Sequence, residues 1–195
     1  MPTFLLMLIG YLLGSIPFGY AISKLYNIDI RQKGSGNIGA TNVTRTLGFK
    51  IGILVFILDL LKGSLALLIA YQYTMDPIEI TLVAISAIFG HMFPVFLGFK
   101  GGKGSAIGLG ILLVIAPDIF IFTMLFAILV MLITRYVSMA SILGAFCVVV
   151  LMFLFQKPLT YTLLSMLALI LSIIKHKENI KRLINGTERK IGEKA

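Results

Sequence analysis

Ser105-Ala-Ile-Gly-Leu-Gly-Ile-Leu-Leu-Val-Ile-Ala116 is apolar from end to end and too short. About 11 helical residues rise some 16 Å, little more than half the hydrocarbon thickness of a bilayer. Longer apolar segments stand on both sides of it: Thr3 to Leu25, Ile51 to Ala70 and Ile78 to Leu97 before, and Ile119 to Ile133, Met139 to Phe155 and Leu159 to Ile174 after. Whether the short segment crosses therefore decides how the whole chain is threaded. If it crosses, Arg31, Lys33, Arg45, Lys50, Lys100, Lys103, Arg135 and the basic tail share one side. Asp76, Glu79 and Asp118 fall on the other, with Lys157 as the exception, and this is the positive-inside pattern. If it does not cross, the tail is forced outside.

The reading is thus an all-α integral membrane protein, a bundle of about seven transmembrane helices with an external N-terminus and a cytoplasmic C-terminus. It is read as a single domain over residues 1–195. The loop before the short helix should dip into the protein, so that this helix begins below the membrane surface.

Composition agrees. Hydrophobic residues make up 58% of the chain and charged residues 13%, against about 25% charged in ordinary soluble domains. Mean hydropathy is +1.02, which excludes a soluble globular domain. The net charge of +9 lies beside the spans and not in an independent basic domain. Anionic lipid heads or small phosphorylated substrates are therefore better partners than nucleic acid, and no obligatory protein partner is implied. The lone cysteine, Cys147, offers no disulfide framework and no thiolate metal site, and no metal or cofactor is expected.

The first apolar segment lacks a basic leader region and a small-residue cleavage site, so it should stay in the protein. Gly10, Gly14, Ser15 and Gly19 would let a neighbouring helix approach closely, and Pro17 should bend the span. With no tryptophan in the chain, Tyr26, Tyr71, Tyr73, Tyr136 and Tyr161 are the interfacial anchors. Asp59 and Lys62, three residues apart in one span, should face each other across a helical turn. They form either a relay or a mutual neutralisation that fixes helix packing; a single pair favours the structural role.

Three polar blocks lie outside the spans and, in this topology, on one side. In Gly34-Ser-Gly-Asn-Ile-Gly-Ala-Thr-Asn-Val-Thr-Arg45, glycines admit close backbone approach while Ser35, Asn37, Thr41, Asn42 and Arg45 supply donors suited to a phosphate or carbonyl oxygen. In Gly90-His-Met-Phe-Pro-Val-Phe-Leu-Gly-Phe-Lys-Gly-Gly-Lys-Gly-Ser105, Lys100 and Lys103 bracket a double glycine directly before a helix. Amides, helix dipole and ammonium would there converge on an anion. It is not a Walker A loop, since Gly104 follows Lys103 where Ser or Thr is required. His91, ending the preceding span, is a ligand-binding candidate or an interfacial histidine bonded to a carbonyl. The third block, His176 to Glu188, puts His176, Asn179 and Arg182 on one face of a continuing helix.

Together these blocks resemble the motifs of the bacterial acyl-phosphate-dependent glycerol-3-phosphate acyltransferase family (PlsY-type), over nearly the whole chain, in order and at the expected spacing. The resemblance implies transfer of a fatty acyl group from acyl phosphate to the sn-1 hydroxyl of glycerol 3-phosphate. It gives lysophosphatidic acid and phosphate, the first step of phospholipid synthesis, at the bacterial inner membrane. It also implies that Gly101, Gly102 and Gly104 with Lys103 bind glycerol 3-phosphate, and that Arg45, His176 and Asn179 help to hold the two phosphates. Ser35 would position the acyl phosphate, Ser141 would add a hydroxyl, and Glu188 would be structural. Either a histidine or a phosphate oxygen of the donor takes the proton; the scarcity of carboxylates favours the second. A transporter of a phosphorylated metabolite is the alternative, although the blocks do not repeat as transporter halves do.

Overall fold

The computed structural model describes residues 1–193; residues 194–195, the end of the basic tail, lie outside the described residues. The secondary structure of the described residues is helical throughout, in the order α1 (Thr3–Ser15), α2 (Phe18–Leu25), α3 (Ala40–Leu47), α4 (Phe49–Tyr71), α5 (Pro77–Met92), α6 (Ser105–Ile115), α7 (Pro117–Thr134), α8 (Val137–Leu154), α9 (Leu159–Lys175) and α10 (Lys177–Ile184). Five segments are long and apolar enough to cross a membrane: Thr3–Leu25, Phe49–Tyr71, Pro77–Leu97, Pro117–Thr134 and Val137–Leu154. A sixth is reached if Leu159–Lys175 and Lys177–Ile184, bent by 63°, count as one. The protein is a multi-pass, all-α membrane protein. The expected count of seven is not reached by length: α6 has 11 residues and α9 has 17. The chain forms two compact units, Met1–Ile111 and Leu112–Glu193, with the boundary inside α6.

In the first unit α1 and α5 run parallel. The Thr3 hydroxyl donates to Glu79 where both helices begin, and the Tyr11 hydroxyl donates to the Phe93 carbonyl at 2.9 Å where α5 has ended. The seam between them is made of small residues. A Cβ on Gly14 would stand 2.1 Å from the Ala87 carbonyl oxygen, and one on Gly90 would stand 2.2 Å from that of Tyr11. Of the glycines whose spacing stood out in the sequence, Gly10 and Gly14 lie on this contact face, where backbones meet without intervening side chains, whereas Gly19 packs against Ile38. Pro17 has no N–H to continue the ladder, so α1 stops at Ser15 and α2 restarts at Phe18.

The first polar block is not all loop, as its composition suggested. Its second half is α3, because Val43 and Leu47 share a face that packs with Ile30, Ile38 and Val55 in a small core. Gly48 joins α3 to α4 at φ 94°, ψ 168°, a conformation essentially confined to glycine. It lets α3 fold back so tightly that a Cβ on Gly52 would meet the Thr44 hydroxyl at 1.8 Å.

In the second unit α7 turns into α8 through Arg135, at φ 63°, and the tail returns to this turn when the Ile191 N–H donates to the Arg135 carbonyl at 2.8 Å. At the other end of the α7–α8 pair, Lys157 meets Asp118 at 2.8 Å. The one lysine that broke the charge pattern is thus neutralised by an acid of its own end.

Candidate active site

The hub of the first polar block is Asn42. It is buried, its Oδ1 accepts from the Ser35 N–H at 2.9 Å, and its Nδ2 lies 2.9–3.2 Å from the carbonyls of Asn37, Lys33 and Ile30. Its amide is turned into the loop and shapes it. Asn37 acts similarly at smaller scale, accepting from the Gly39 N–H at 2.9 Å. Ser35 itself is exposed, while Thr41 and Arg45 are half-buried on α3, four residues apart and so on one face. The loop is also tied down before Ser35: Arg31 donates to Asp29 at 2.7 and 2.9 Å and lies over the Tyr20 ring at 4.6 Å. The Arg31 hydrogen bond holds the Asp29 carboxyl well below the usual carboxylate range.

The second block is packed against the end of α5. The Gly101 N–H donates to the Met92 carbonyl at 3.2 Å and the Gly102 N–H to the His91 carbonyl at 3.0 Å. Two of the amides that the sequence offered to an anion are therefore spent on the last carbonyls of α5. The double glycine serves close approach instead: a Cβ on Gly102 would lie 2.1 Å from His91 Nε2, and one on Gly101 would lie 2.2 Å from the His91 carbonyl. Lys103 follows, half-buried, and Gly104, at φ 90°, turns the chain into α6. His91 is buried, with Nδ1 3.7 Å from Asp59 Oδ1. Asp59 also meets Lys62 at 2.7 Å, as the sequence spacing anticipated, and both are buried.

Asp59 lies ten residues into α4, roughly 15 Å along it from Phe49. Through His91 the loop therefore lies level with the middle of α4 and not with its start.

The third block sits in the second unit. The chain bends at His176, so His176 is the hinge between α9 and α10 and not part of one continuing helix. His176 Nδ1 lies 2.8 Å from the Ser172 carbonyl and must carry a proton to donate there. Glu188 is the organiser: Oε1 accepts from Ser138 Oγ at 3.0 Å and Asn179 Nδ2 at 2.7 Å, and Oε2 accepts from Arg182 Nε at 2.7 Å. Burial pushes this carboxyl up, but the bonds from Asn179, Arg182 and Ser138 outweigh burial and hold it below its ordinary value. Ser138 was not singled out in the sequence; Ser141, one turn further along α8, was, and it is half-buried.

The chain matches the family described as glycerol-3-phosphate acyltransferase over residues 4–186. It belongs to that family. It is 43% identical over 191 residues to the glycerol-3-phosphate acyltransferase of Aquifex aeolicus, covering 97% of this chain and 100% of that protein. It is 45% identical over 193 residues to that of Thermotoga petrophila, covering 98% and 97%. Among solved structures it is similar to PlsY, an integral membrane glycerol 3-phosphate acyltransferase. The glycerol 3-phosphate form of PlsY matches with a TM-score of 0.94 and 43% identity over 97% of this chain and 96% of that one. The lysophosphatidic acid form matches with a TM-score of 0.91 and 42% identity over 97% and 95%. The matched residues contain the first two polar blocks whole and the third as far as Gly186, with Thr187 and Glu188 just beyond them.

Proposed function

We propose that this acyltransferase moves a fatty acyl group from acyl phosphate to the sn-1 hydroxyl of glycerol 3-phosphate, releasing lysophosphatidic acid and inorganic phosphate. The observation that carries the reading is the full-length match to an acyltransferase structure in its glycerol 3-phosphate form. The residues supply what the chemistry needs. Acyl phosphate is a mixed anhydride with a good leaving group, so direct attack by the glycerol hydroxyl suffices once charge and geometry are arranged. No covalent acyl-enzyme is required.

In this reading Lys103 meets the phosphate of glycerol 3-phosphate, and Gly101, Gly102 and Gly104 hold its loop. Ser35 positions the acyl phosphate, with Arg45 and Thr41 presented on the same face of α3. Asn37 and Asn42 act by shaping the loop. His176, Asn179, Arg182 and Ser141 are assigned to the phosphates by family resemblance. With Nδ1 donating to Ser172, His176 reaches a phosphate as a donor only through Nε2, as an imidazolium. Proton transfer from the attacking hydroxyl goes to a phosphate oxygen of the donor, since the first-unit blocks carry no carboxylate beside Ser35 or Lys103 in sequence.

The proposed setting is a bacterial inner membrane, crossed about seven times, with the N-terminus outside and the polar blocks at the cytoplasmic side. The Asp118–Lys157 pair supports this, because it removes the one unpaired charge against the pattern.

Sealed vesicles holding the purified protein test the activity against transport. The expected outcome is phosphate release matched one for one by lysophosphatidic acid. Donor-independent accumulation of glycerol 3-phosphate inside the vesicles, without product, would overturn it.

A further inference from the structure

Three buried groups at one level of the first unit stand outside the reaction as described. Asp59, in mid α4, is 3% exposed, Lys62 is 4% exposed and His91 is 4% exposed. Lys62 Nζ is 2.7 Å from Asp59 Oδ1 and also donates at 2.7 Å to the carbonyl of Ile16, in the break between α1 and α2. Asp59 Oδ1 is 3.7 Å from His91 Nδ1, at the end of α5. The other edge of the same imidazole faces Gly102: the three atoms nearest to a Cβ built there, at 2.1, 2.8 and 3.0 Å, all belong to the His91 ring.

The cluster therefore joins four places. It touches the helix break before the first polar block, the middle of α4, the end of α5 and the double glycine before Lys103. Past the break, α2 abuts the first block directly, since a Cβ on Gly19 would stand 1.8 Å from the Ile38 carbonyl oxygen. A charge pair that only neutralised itself would need neither the Ile16 carbonyl nor the histidine. A buried pair is poor as a source of stability, because desolvation offsets most of its attraction, and its value lies in fixing geometry.

We infer that Asp59, Lys62 and His91 form a positioning device that seats the Gly101–Gly104 loop and the α1–α2 break in one register. His91 then acts on glycerol 3-phosphate through Gly102 and not by touching it. This rests on the reading of the loop as the glycerol 3-phosphate site. Lys103 inherits its place from Gly102, its chain neighbour; a displacement near 1 Å at a charged contact costs up to about a hundredfold in rate.

The test is a steric suppressor cycle. Gly102→Ala puts a methyl group into the imidazole and should raise the KM for glycerol 3-phosphate by about tenfold or more, with the KM for acyl phosphate changed less than about twofold. His91→Ala added to it removes the clash, and should return the glycerol 3-phosphate KM to within about threefold of that of His91→Ala alone. If Gly102 acted on the substrate independently of His91, the two effects would add and the double variant would be worse than either single one, and that result would overturn the inference. Calorimetric binding of glycerol 3-phosphate gives the same cycle without turnover. A failure of the wild type to transfer acyl groups would thus sink the functional reading while leaving the coupling measurable.

The charges are tested by the double variant Asp59→Asn/Lys62→Met, which leaves no unpaired buried ion. Thermal stability near wild type with a raised glycerol 3-phosphate KM supports the positioning role. Stability near wild type with unchanged KM values overturns it. Should that variant not fold, the Gly102/His91 cycle decides by itself.

Discussion

Replacing Glu188 by alanine should collapse the corner where α8, α10 and the tail meet. The carboxylate accepts from Ser138, Asn179 and Arg182, so its removal leaves the side-chain amide and hydroxyl donors in a buried corner beside a cation. Orphaning one buried donor costs about 1–3 kcal/mol, and breaking a buried ion pair costs about 3–5 kcal/mol. The Arg182 side chain is 37% exposed, so solvent screens the ionic part, and a total of about 3–4 kcal/mol is the better expectation. Glu188→Gln should lie between alanine and wild type: its carbonyl still accepts from Ser138 and Asn179, but its amide faces the Arg182 N–H donor to donor. The assay is the apparent unfolding temperature of detergent-solubilised protein, read beside acyl transfer.

The pH dependence has a definite sign. The folded carboxyl of Glu188 is held below its unfolded value, so its contribution is full above the ordinary carboxylate range and is lost as pH falls through the depressed folded value. Wild type should lose stability in acid more steeply than Glu188→Gln, with the two curves converging at low pH. An alanine variant as stable as wild type, or a Gln variant with an unaltered acid limb, would mean that the corner does not depend on the Glu188 carboxylate.

Lys103→Ala removes the ammonium proposed to face the phosphate of glycerol 3-phosphate, a contact worth about 1.5–3 kcal/mol, so the KM for glycerol 3-phosphate should rise roughly 10- to 100-fold with the donor KM little changed. Ser35→Ala should lower turnover about a hundredfold or more while the protein stays folded, because Ser35 is exposed and its side chain packs no core. Asn42→Ala frees the Ser35 N–H and the carbonyls beneath it, and should cost about 1–3 kcal/mol of stability together with most of the turnover, read by unfolding and initial rates. Gly14→Val drives side-chain atoms into the Ala87 backbone and should destabilise by about 1–3 kcal/mol or more, seen as a lower unfolding temperature.

Much of this was legible in the sequence. Long apolar segments announce spans directly, since lipid forces every backbone group to bond within its own helix. Gly10 and Gly14 announced a close contact, and the spacing of Asp59 and Lys62 announced their pairing. What stayed hidden depends on contacts between segments far apart in the chain. Asp59 to His91 crosses from α4 to α5, and Ser138 to Glu188 spans fifty residues. No local pattern records either. The α3 helix was masked by composition: Gly, Thr and Asn read as loop, and only the burial of Val43 and Leu47 against α2 and α4 makes the helix worthwhile. Asn42 read as a ligand donor because its amide is chemically fit for one; the surrounding carbonyls claim it first. In the same way the double glycine read as open amides, whereas the crowding of His91 gives the glycines a different reason.

As proposed, this acyltransferase takes its acyl group from acyl phosphate and delivers it to glycerol 3-phosphate. The most direct test supplies purified protein with labelled glycerol 3-phosphate and either acyl phosphate or acyl-CoA. Label should enter lysophosphatidic acid with acyl phosphate alone; label entering lipid with acyl-CoA, or with neither donor, would contradict the account.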